Sequence, residues 1–343
     1  MKRLLNTLYV TTDGAYIHRE RETLVIEIKA QDIKKQLPIL SLSGLVAIGR
    51  VMMSPEAMAL CAENNIAISF LSEHNRFLAQ VHGEQSGNVL LRRQQYRITD
   101  DAERCREIVR CIVAAKISNT RTVLQRALRN HPDSDGDGAV ADAIRRLERI
   151  KKSVAEADSA DGLRGYEGEA GHVYFAVFNA LLNADSGFRM NGRTRRPPRD
   201  PVNALLSFVY TLLCHECRGA CEAVGLDPAV GFLHRDRPGR PGCALDLMEE
   251  FRAVVADRVV LTLINRKQIT SDQFEIQESG AVLMNAACRK TVLEQWQKRK
   301  QEEITHPVLN ENMPLGLAFH AQAQLLARHL RGDLDFYPAS LWR

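Results

Sequence analysis

What the chain lacks narrows its class first. No apolar stretch approaches the roughly 18–20 residues that a membrane span needs, so no spanning helix is expected. The opening run from Met1 to Val10 lacks a secretory pattern, because its apolar stretch is short and polar residues follow. The expectation is a soluble, intracellular protein. The eight cysteines are scattered rather than spaced as a disulfide framework, which suits a reducing compartment. Internal repeats and long low-complexity tracts are missing, which excludes a repeat array. The net charge is only +4, so bulk charge says little about nucleic acid.

What is present is a globular balance. Of 343 residues, 45% are hydrophobic and 26% charged, enough apolar material for a core and a length that suits two domains. The charge is unevenly spread. Arg189, Arg193, Arg195, Arg196 and Arg199 come without an acid until Asp200, and the stretch 91–97 is also acid-free. Guanidinium groups are planar, always charged and bidentate, so such clusters suit phosphate. A merely solvated basic face fits the charge pattern equally well.

Hydrophobic patterning divides the chain. Short β-branched and apolar runs at Leu5–Thr11, Ala15–Arg19, Thr23–Ile28, Lys35–Ile39, Gly44–Ile48, Ala67–Leu71 and Arg76–Val81 predict strands. Ser54 and Pro55 predict a helix start between them. After the polar run 83–87 the period becomes 3.6, which predicts helices over 88–130, 142–156, 162–183, 200–224, 244–265, 279–300 and 317–331. The fold class expected is therefore α+β and multidomain. A small β-sheet or sandwich domain, residues 1–85, precedes an all-α domain, residues 86–343.

Two stretches could carry chemistry. In the first, Gly165, Gly168 and Gly171 recur every third residue around Glu167. Glycine costs about 1 kcal/mol against alanine in a helix, so a stripe that lets another backbone approach closely needs a packing or functional reason. A carboxylate beside the apolar run Val173–Phe178 is costly unless paired or bound to metal, although a helix-start Glu in water also fits. In the second, His234 closes the turn that begins at Gly225, and Asp246 and Glu249 follow three apart on one helix face, with Glu250 near it. The proline- and glycine-rich 235–242 stretch can fold back and bring His234 over that helix. One imidazole with two or three carboxylates suits Mg2+ or Mn2+. A dipole-enriched helix start with a core His fits the same residues.

Two decoys are weighed beside them. Cys214, Cys217 and Cys221, with His215 among them, have a spacing that a zinc or iron–sulfur site could use. The same spacing lays three small side chains on one helix face, the pattern of a packed core. Asp133–Gly138 opens like a calcium loop, but the twelfth position is Ile144 rather than Glu, so a polar interhelix loop is expected.

Taken in order, the motifs resemble a known family. Leu163–Tyr174, Arg195–Ser207, Gly225–His234, Asp246–Arg252 and Gln324–Tyr337, with Lys116–Asn119, are similar to the universal adaptation nuclease-integrase of CRISPR systems. The variants at Arg195–Ser207 and Gln324–Asp333 resemble the subtype I-C branch most. The resemblance implies that Glu167, His234 and Glu249 bind Mg2+ or Mn2+, where the family often has Asp in place of Glu249. Asp246 matches a second acidic position whose direct contact with metal is open. The residues expected to carry catalysis are Glu167, His234, Asp246 and Glu249, with Arg193, Arg195, Arg196 and Arg199 on the DNA backbone. The resemblance also implies a prokaryotic cytoplasmic protein that integrates a short DNA duplex into the repeat array by 3′-hydroxyl transesterification on double-stranded and branched DNA. It implies a homodimer paired through the β domain, a small ferredoxin-like companion protein and an iron–sulfur exonuclease as partners. Two alternatives are a non-catalytic nucleic-acid-binding scaffold and a structural iron–sulfur protein built on the three cysteines.

Overall fold

A computed structural model describes residues 6–73, 77–81, 83, 89–130 and 138–342. The acidic run Asp133–Asp137, the expected 85/86 domain boundary and the first residues of the Leu5 and Arg76 strands lie outside these. The chain divides into two compact units, one up to Gly87 and one from Asn88.

Among the described residues the first unit has two four-stranded sheets and one α-helix. One sheet has the order β1 (Asn6–Val10), β5 (Leu42–Ile48), β7 (Ala67–Leu71) and β8 (Phe77–Val81), with β8 antiparallel to its neighbour and the rest parallel. The other is β4 (Ile33–Pro38), β3 (Thr23–Ile28), β2 (Tyr16–Glu20) and β6 (Met52–Met53). Ile17, Leu24, Ile26 and Leu45, Leu60, Ile68 share one buried core, which is why alternating apolar residues on short strands suffice. Helix α1 (Pro55–Glu63) starts where expected. The Ser54 side chain accepts the Ala57 N–H at 3.2 Å, and Pro55 occupies the first turn.

The second unit is mainly helical: α2 (Val89–Asp100), α3 (Ala102–Asn130), α4 (Ala139–Glu156), α5 (Ala160–Ala176), α6 (Pro201–Val224), α7 (Gly242–Glu249), α8 (Arg258–Asn265), α9 (Ala286–Gln301) and α10 (Leu315–Arg331). Several helices differ from the periodicity-based expectation, each for a local reason. The 88–130 segment breaks because Asp101 Oδ1 accepts the N–H groups of Glu103 and Arg104, both at 3.1 Å, and so caps a new helix. The 162–183 helix stops at Ala176 and passes into a 3₁₀ turn, Phe178–Leu181. The 244–265 segment is interrupted by a π-helical turn, Arg252–Asp257. The 279–300 helix starts only at Ala286, because β10 (Val282–Met284) pairs with β9 (Phe274–Ile276) and Asn285 caps the helix. A second hairpin joins β11 (Glu303–Thr305) to β12 (Asn312–Pro314). The expected all-α unit therefore carries two small hairpins. Their three-residue strands are too short to show a period of two.

The large helices pack as their apolar faces demand. Helix α3 lies against α4 and α5, and α6 against α7 and α10. Among the described residues no helix is long and apolar enough to cross a membrane.

Candidate active site

Residues far apart in sequence meet within the helical unit. The loop from Leu226 folds back onto α7 because Gly242 and Cys243 donate their N–H groups to the carbonyls of Ala229 and Pro228, both at 3.0 Å. The approach is so close that a Cβ on Gly231 would lie 2.6 Å from the Gly242 carbonyl carbon, and one on Gly242 2.7 Å from the Ala229 oxygen. Only glycine fits at both positions.

This fold-back delivers three consecutive N–H groups to one carboxylate. Asp246 Oδ2 accepts from Phe232 at 2.5 Å and Leu233 at 3.0 Å, and Oδ1 accepts from His234 at 3.0 Å. The His234 ring joins them, with Nδ1 2.7 Å from Asp246 Oδ1. An ionised carboxylate can only accept, so Nδ1 carries the proton and Nε2 keeps its lone pair. Asp246 is fully buried and its lone pairs are spent on this loop. From α5, Arg164 clamps the other side by donating to the carbonyls of Leu233 at 2.6 Å and Phe232 at 3.0 Å.

His234 Nε2 faces Glu249 Oε1 at 3.8 Å. Glu249, with a side chain only 1% exposed, also meets Lys116 Nζ at 2.7 Å and Arg252 Nη1 at 3.1 Å. Burial pushes its carboxyl pKa up, but the charges of Arg252 and Lys116 outweigh burial and hold it at about 2. Lys116, from α3, also binds Glu167 on α5, so one ammonium joins the two carboxylates. Among the described residues, neither oxygen of Glu249 has a well-directed hydrogen bond, although both lie within ion-pair reach.

A cavity of about 450 Å³ opens beside this cluster, lined by Lys116, Glu167, Arg193, Arg195, Tyr210 and Arg252 among others. Gly168 and Gly171 also line it, and none of the three stripe glycines has a non-local atom within 4 Å of an added Cβ. Among the described residues no other backbone makes the close approach that a packing reason would need. Two of the three glycines instead keep side chains out of the cavity. The π turn sends both Arg252 and Asp257, five residues apart, to the cavity wall, as its wider winding allows. Asp257 accepts from Tyr210 at 2.7 Å and Tyr174 at 3.0 Å, and burial raises its pKa to about 6.

The predicted arginines separate into two pairs. Arg193 and Arg195 line the cavity, whereas Arg196 and Arg199 are exposed and not part of its wall. Arg193 lies with its guanidinium carbon 5.4 Å from the Tyr210 ring centre, and it donates to Asn203 Oδ1 at 2.6 Å. Glu250, near the acidic face in sequence terms, turns away and binds Tyr337 and the Ser340 N–H. Cys217 and Cys221 are buried and all three cysteines are free thiols. Lys116, Arg164 and Arg252 were not among the predicted site residues. Lys116 sits in the Lys116–Asn119 motif and Arg252 ends the acidic one, so both carried a signal that their roles did not.

The sequence pattern of the family described as CRISPR associated protein Cas1 matches residues 8–298. The chain belongs to this family. It is 52% identical to the CRISPR-associated endonuclease Cas1 2 of Rhodospirillum rubrum and 49% identical to the CRISPR-associated endonuclease Cas1 1 of Chlorobaculum tepidum, each over 100% of both chains. It is 34% identical to a CRISPR-associated exonuclease Cas4/endonuclease Cas1 fusion of Geobacter sulfurreducens, over 96% of this chain and 59% of the relative. Among solved structures, its fold is similar to a CAS1 protein from Thermotoga maritima, with TM-score 0.82 and 23% identity over 95% of this chain and 97% of that one. A casposase bound to integration product gives TM-score 0.84 and 21% identity over 99% and 95%. A chain of a Cas6-RT-Cas1–Cas2 complex gives 0.81 and 24% over 98% and 36%. The α+β architecture, a β-sheet unit followed by a helical one, is thus the architecture of this family.

The donor set fits a divalent cation. Two carboxylates and the lone pair of an imidazole are the ligands that Mg2+ or Mn2+ takes, with the imidazole favouring Mn2+. The Asp246–His234 contact is the outer partner that a ligating histidine needs. Among the described residues no three such side chains surround one point, and the Lys116 ammonium pairs with both glutamates.

Proposed function

We propose that this Cas1-family chain is a metal-dependent DNA endonuclease and integrase of CRISPR adaptation, of the subtype I-C branch, acting in the prokaryotic cytoplasm. The observation that carries the reading is the convergence of Glu167, Glu249 and His234 at the edge of a cavity lined by Arg193, Arg195 and Arg252. Anionic ligands beside cationic walls are what phosphodiester chemistry needs: a place for a cation and a place for the phosphate it activates.

Glu167, Glu249 and His234 would hold Mg2+ or Mn2+, which when bound supplies charge neutralisation at the phosphodiester and acidifies the attacking hydroxyl or water. Asp246 holds His234 in the tautomer that leaves Nε2 free, and is a positioning residue rather than a ligand. Arg193 and Arg195 orient the backbone from the cavity wall, and Arg196 and Arg199 extend that contact along the exposed 194–199 loop. In strand transfer a DNA 3′-oxygen forms a bond to phosphorus, and the 3′-oxygen of the cut strand leaves with a proton. Hydrolytic nicking uses water as the nucleophile at the same site.

Insertion at both ends of a repeat needs two such sites, so the active form is a homodimer, paired through the β unit of residues 1–85. The small ferredoxin-like companion and an iron–sulfur exonuclease complete the assembly. The reading draws support from a structural neighbour in a complex with Cas2 and from a relative fused to Cas4. Strand transfer on branched DNA, with and without Mn2+, tests it. Wild type is expected to join strands only with the metal, and Glu167→Ala to lose the reaction while keeping its fold. Full activity in Glu167→Ala sinks the mechanism.

A further inference from the structure

Lys116 has no role in the reading above, yet it occupies the centre of the site. Its ammonium binds Glu167 and Glu249 together, and the side chain is only 12% exposed. The α3 residues around it are buried and hold its backbone fixed: Val113, Ala115 and Ile117 lie in the core, and Asn119, one turn on, donates to the carbonyls of Glu250 and Ser340 at 2.8 Å. The ammonium is therefore delivered from a rigid helix.

Both carboxylates share this one ammonium, and charged groups with so little exposure to water as Lys116 and Glu249 need such a partner. Arg252 reaches Glu249 from one side only, and it is tied to the Tyr210 face with its guanidinium carbon 4.9 Å from the ring centre. A divalent cation held by the same oxygens would need the space and the charge compensation that the ammonium takes. The two occupants exclude each other.

We propose that Lys116 is a built-in placeholder cation: it holds Glu167 and Glu249 in register in the metal-free site, and it is displaced when Mg2+ or Mn2+ binds. The inference rests on the metal-site reading of the preceding subsection. It predicts an unusual sign. Removing a residue that merely supports the site weakens metal binding, whereas removing a competitor strengthens it. The lysine thus sets a threshold, so that the site loads only when divalent cation is plentiful, and it exchanges lower metal affinity for a preorganised metal-free site.

The test uses the full chain and Mn2+ alone, titrated calorimetrically, with thermal melting in the absence and presence of the metal. Lys116→Met removes the charge, and Lys116→Gln keeps a donor of similar length as a milder version. Both variants are expected to bind Mn2+ roughly tenfold tighter than wild type, the scale of a typical coupling between competing occupants. Both are also expected to melt earlier than wild type without metal and to gain more from Mn2+. Variants that fold only with Mn2+ support the placeholder equally. Equal or weaker Mn2+ affinity in both variants, or failure to fold whether or not Mn2+ is present, overturns it, while leaving the metal reading intact if wild type binds Mn2+ and Glu167→Ala does not. Absence of Mn2+ binding in wild type and both variants alike overturns both.

Discussion

Glu249 and Glu250 are neighbours in sequence, both buried, and opposite in chemistry. Glu249 faces Lys116, Arg252 and His234, and the charges of Arg252 and Lys116 outweigh burial and hold its pKa at about 2. Glu250 accepts from the Tyr337 hydroxyl and the Ser340 N–H, and burial pushes its pKa to about 8. The facing charges favour the ionised form of Glu249, whereas burial favours the protonated form of Glu250. The difference teaches that burial alone does not decide ionisation; the charge of the facing wall does. It also shows how the helix end is shared. One face turns to Lys116, Arg252 and His234, and the other is bolted to the fold through Asn119, whose amide nitrogen donates to the Glu250 carbonyl and whose amide oxygen accepts the Trp342 N–H at 2.9 Å.

The comparison can be broken most directly by removing the charge that faces the site. Glu249→Gln is expected to lower Mn2+-dependent strand transfer by about 100- to 1000-fold, the size seen when a charge-stabilising group is deleted. A change under tenfold would mean that Glu249 is another structural carboxyl like Glu250.

Asp257 tests the intermediate case, since burial raises its pKa while two tyrosine hydroxyls and the charges of Arg252 and Arg193 pull it back to about 6. A raised carboxyl pKa favours the folded state while the group is protonated. Its contribution is complete below the unfolded value near 3.8 and is lost as pH rises through about 6. Denaturant unfolding should show wild type losing up to about 3 kcal/mol over that window relative to Asp257→Asn. Parallel pH profiles for the two proteins would show that the triad with Tyr174 and Tyr210 does not titrate in this range.

Asp246 sharpens the comparison from the other side, as an acid three residues before Glu249 whose oxygens accept the N–H groups of the His234 loop and face the His234 ring. Asp246→Asn keeps the shape but presents a donor to Nδ1 or to the loop N–H groups. The expected loss in Mn2+ affinity is roughly 10- to 100-fold, the range for an outer partner of a ligating histidine. Complete loss of Mn2+ binding would instead make it a ligand.

The smallest effect belongs to Glu250→Gln. A neutral amide replaces a neutral carboxyl, so stability at pH 7 should change by less than about 1 kcal/mol, and strand transfer should persist. Loss of activity in a stable Glu250→Gln protein would erase the distinction between the two glutamates.

Much of the fold could be read from the chain because local chemistry decides it. Ser54, Pro55 and Asp200 cap their helices as capping residues do anywhere, and alternation in Thr23–Ile28 is a strand signal that needs no partner to be seen. The break at Asp101 could also have been read, since an Asp that caps the next turn is a local device. The hairpin at Val282–Met284 could not, because three residues carry no period and the pairing partner lies several residues away. The site was half legible. Glu167, His234, Asp246 and Glu249 stood out as acids and an imidazole in odd company, and the order of their motifs suggested a family. Lys116 and Arg252 stayed hidden, since a lysine on a long helix or an arginine after an acidic run usually points to water.

What the sequence by itself determined is therefore membership: the ordered motifs, the β-then-helical order and the set of acids that can hold a cation. Their division of labour came only with tertiary structure. The fold-back that Gly231 and Gly242 permit spends Asp246 on three N–H groups and one imidazole, and so leaves Glu249 to face the cation. The physical reason is that a carboxylate's role is set by which donors and charges surround it in space. Those neighbours come here from α3, α5, the His234 loop and α7, which no single stretch of sequence contains.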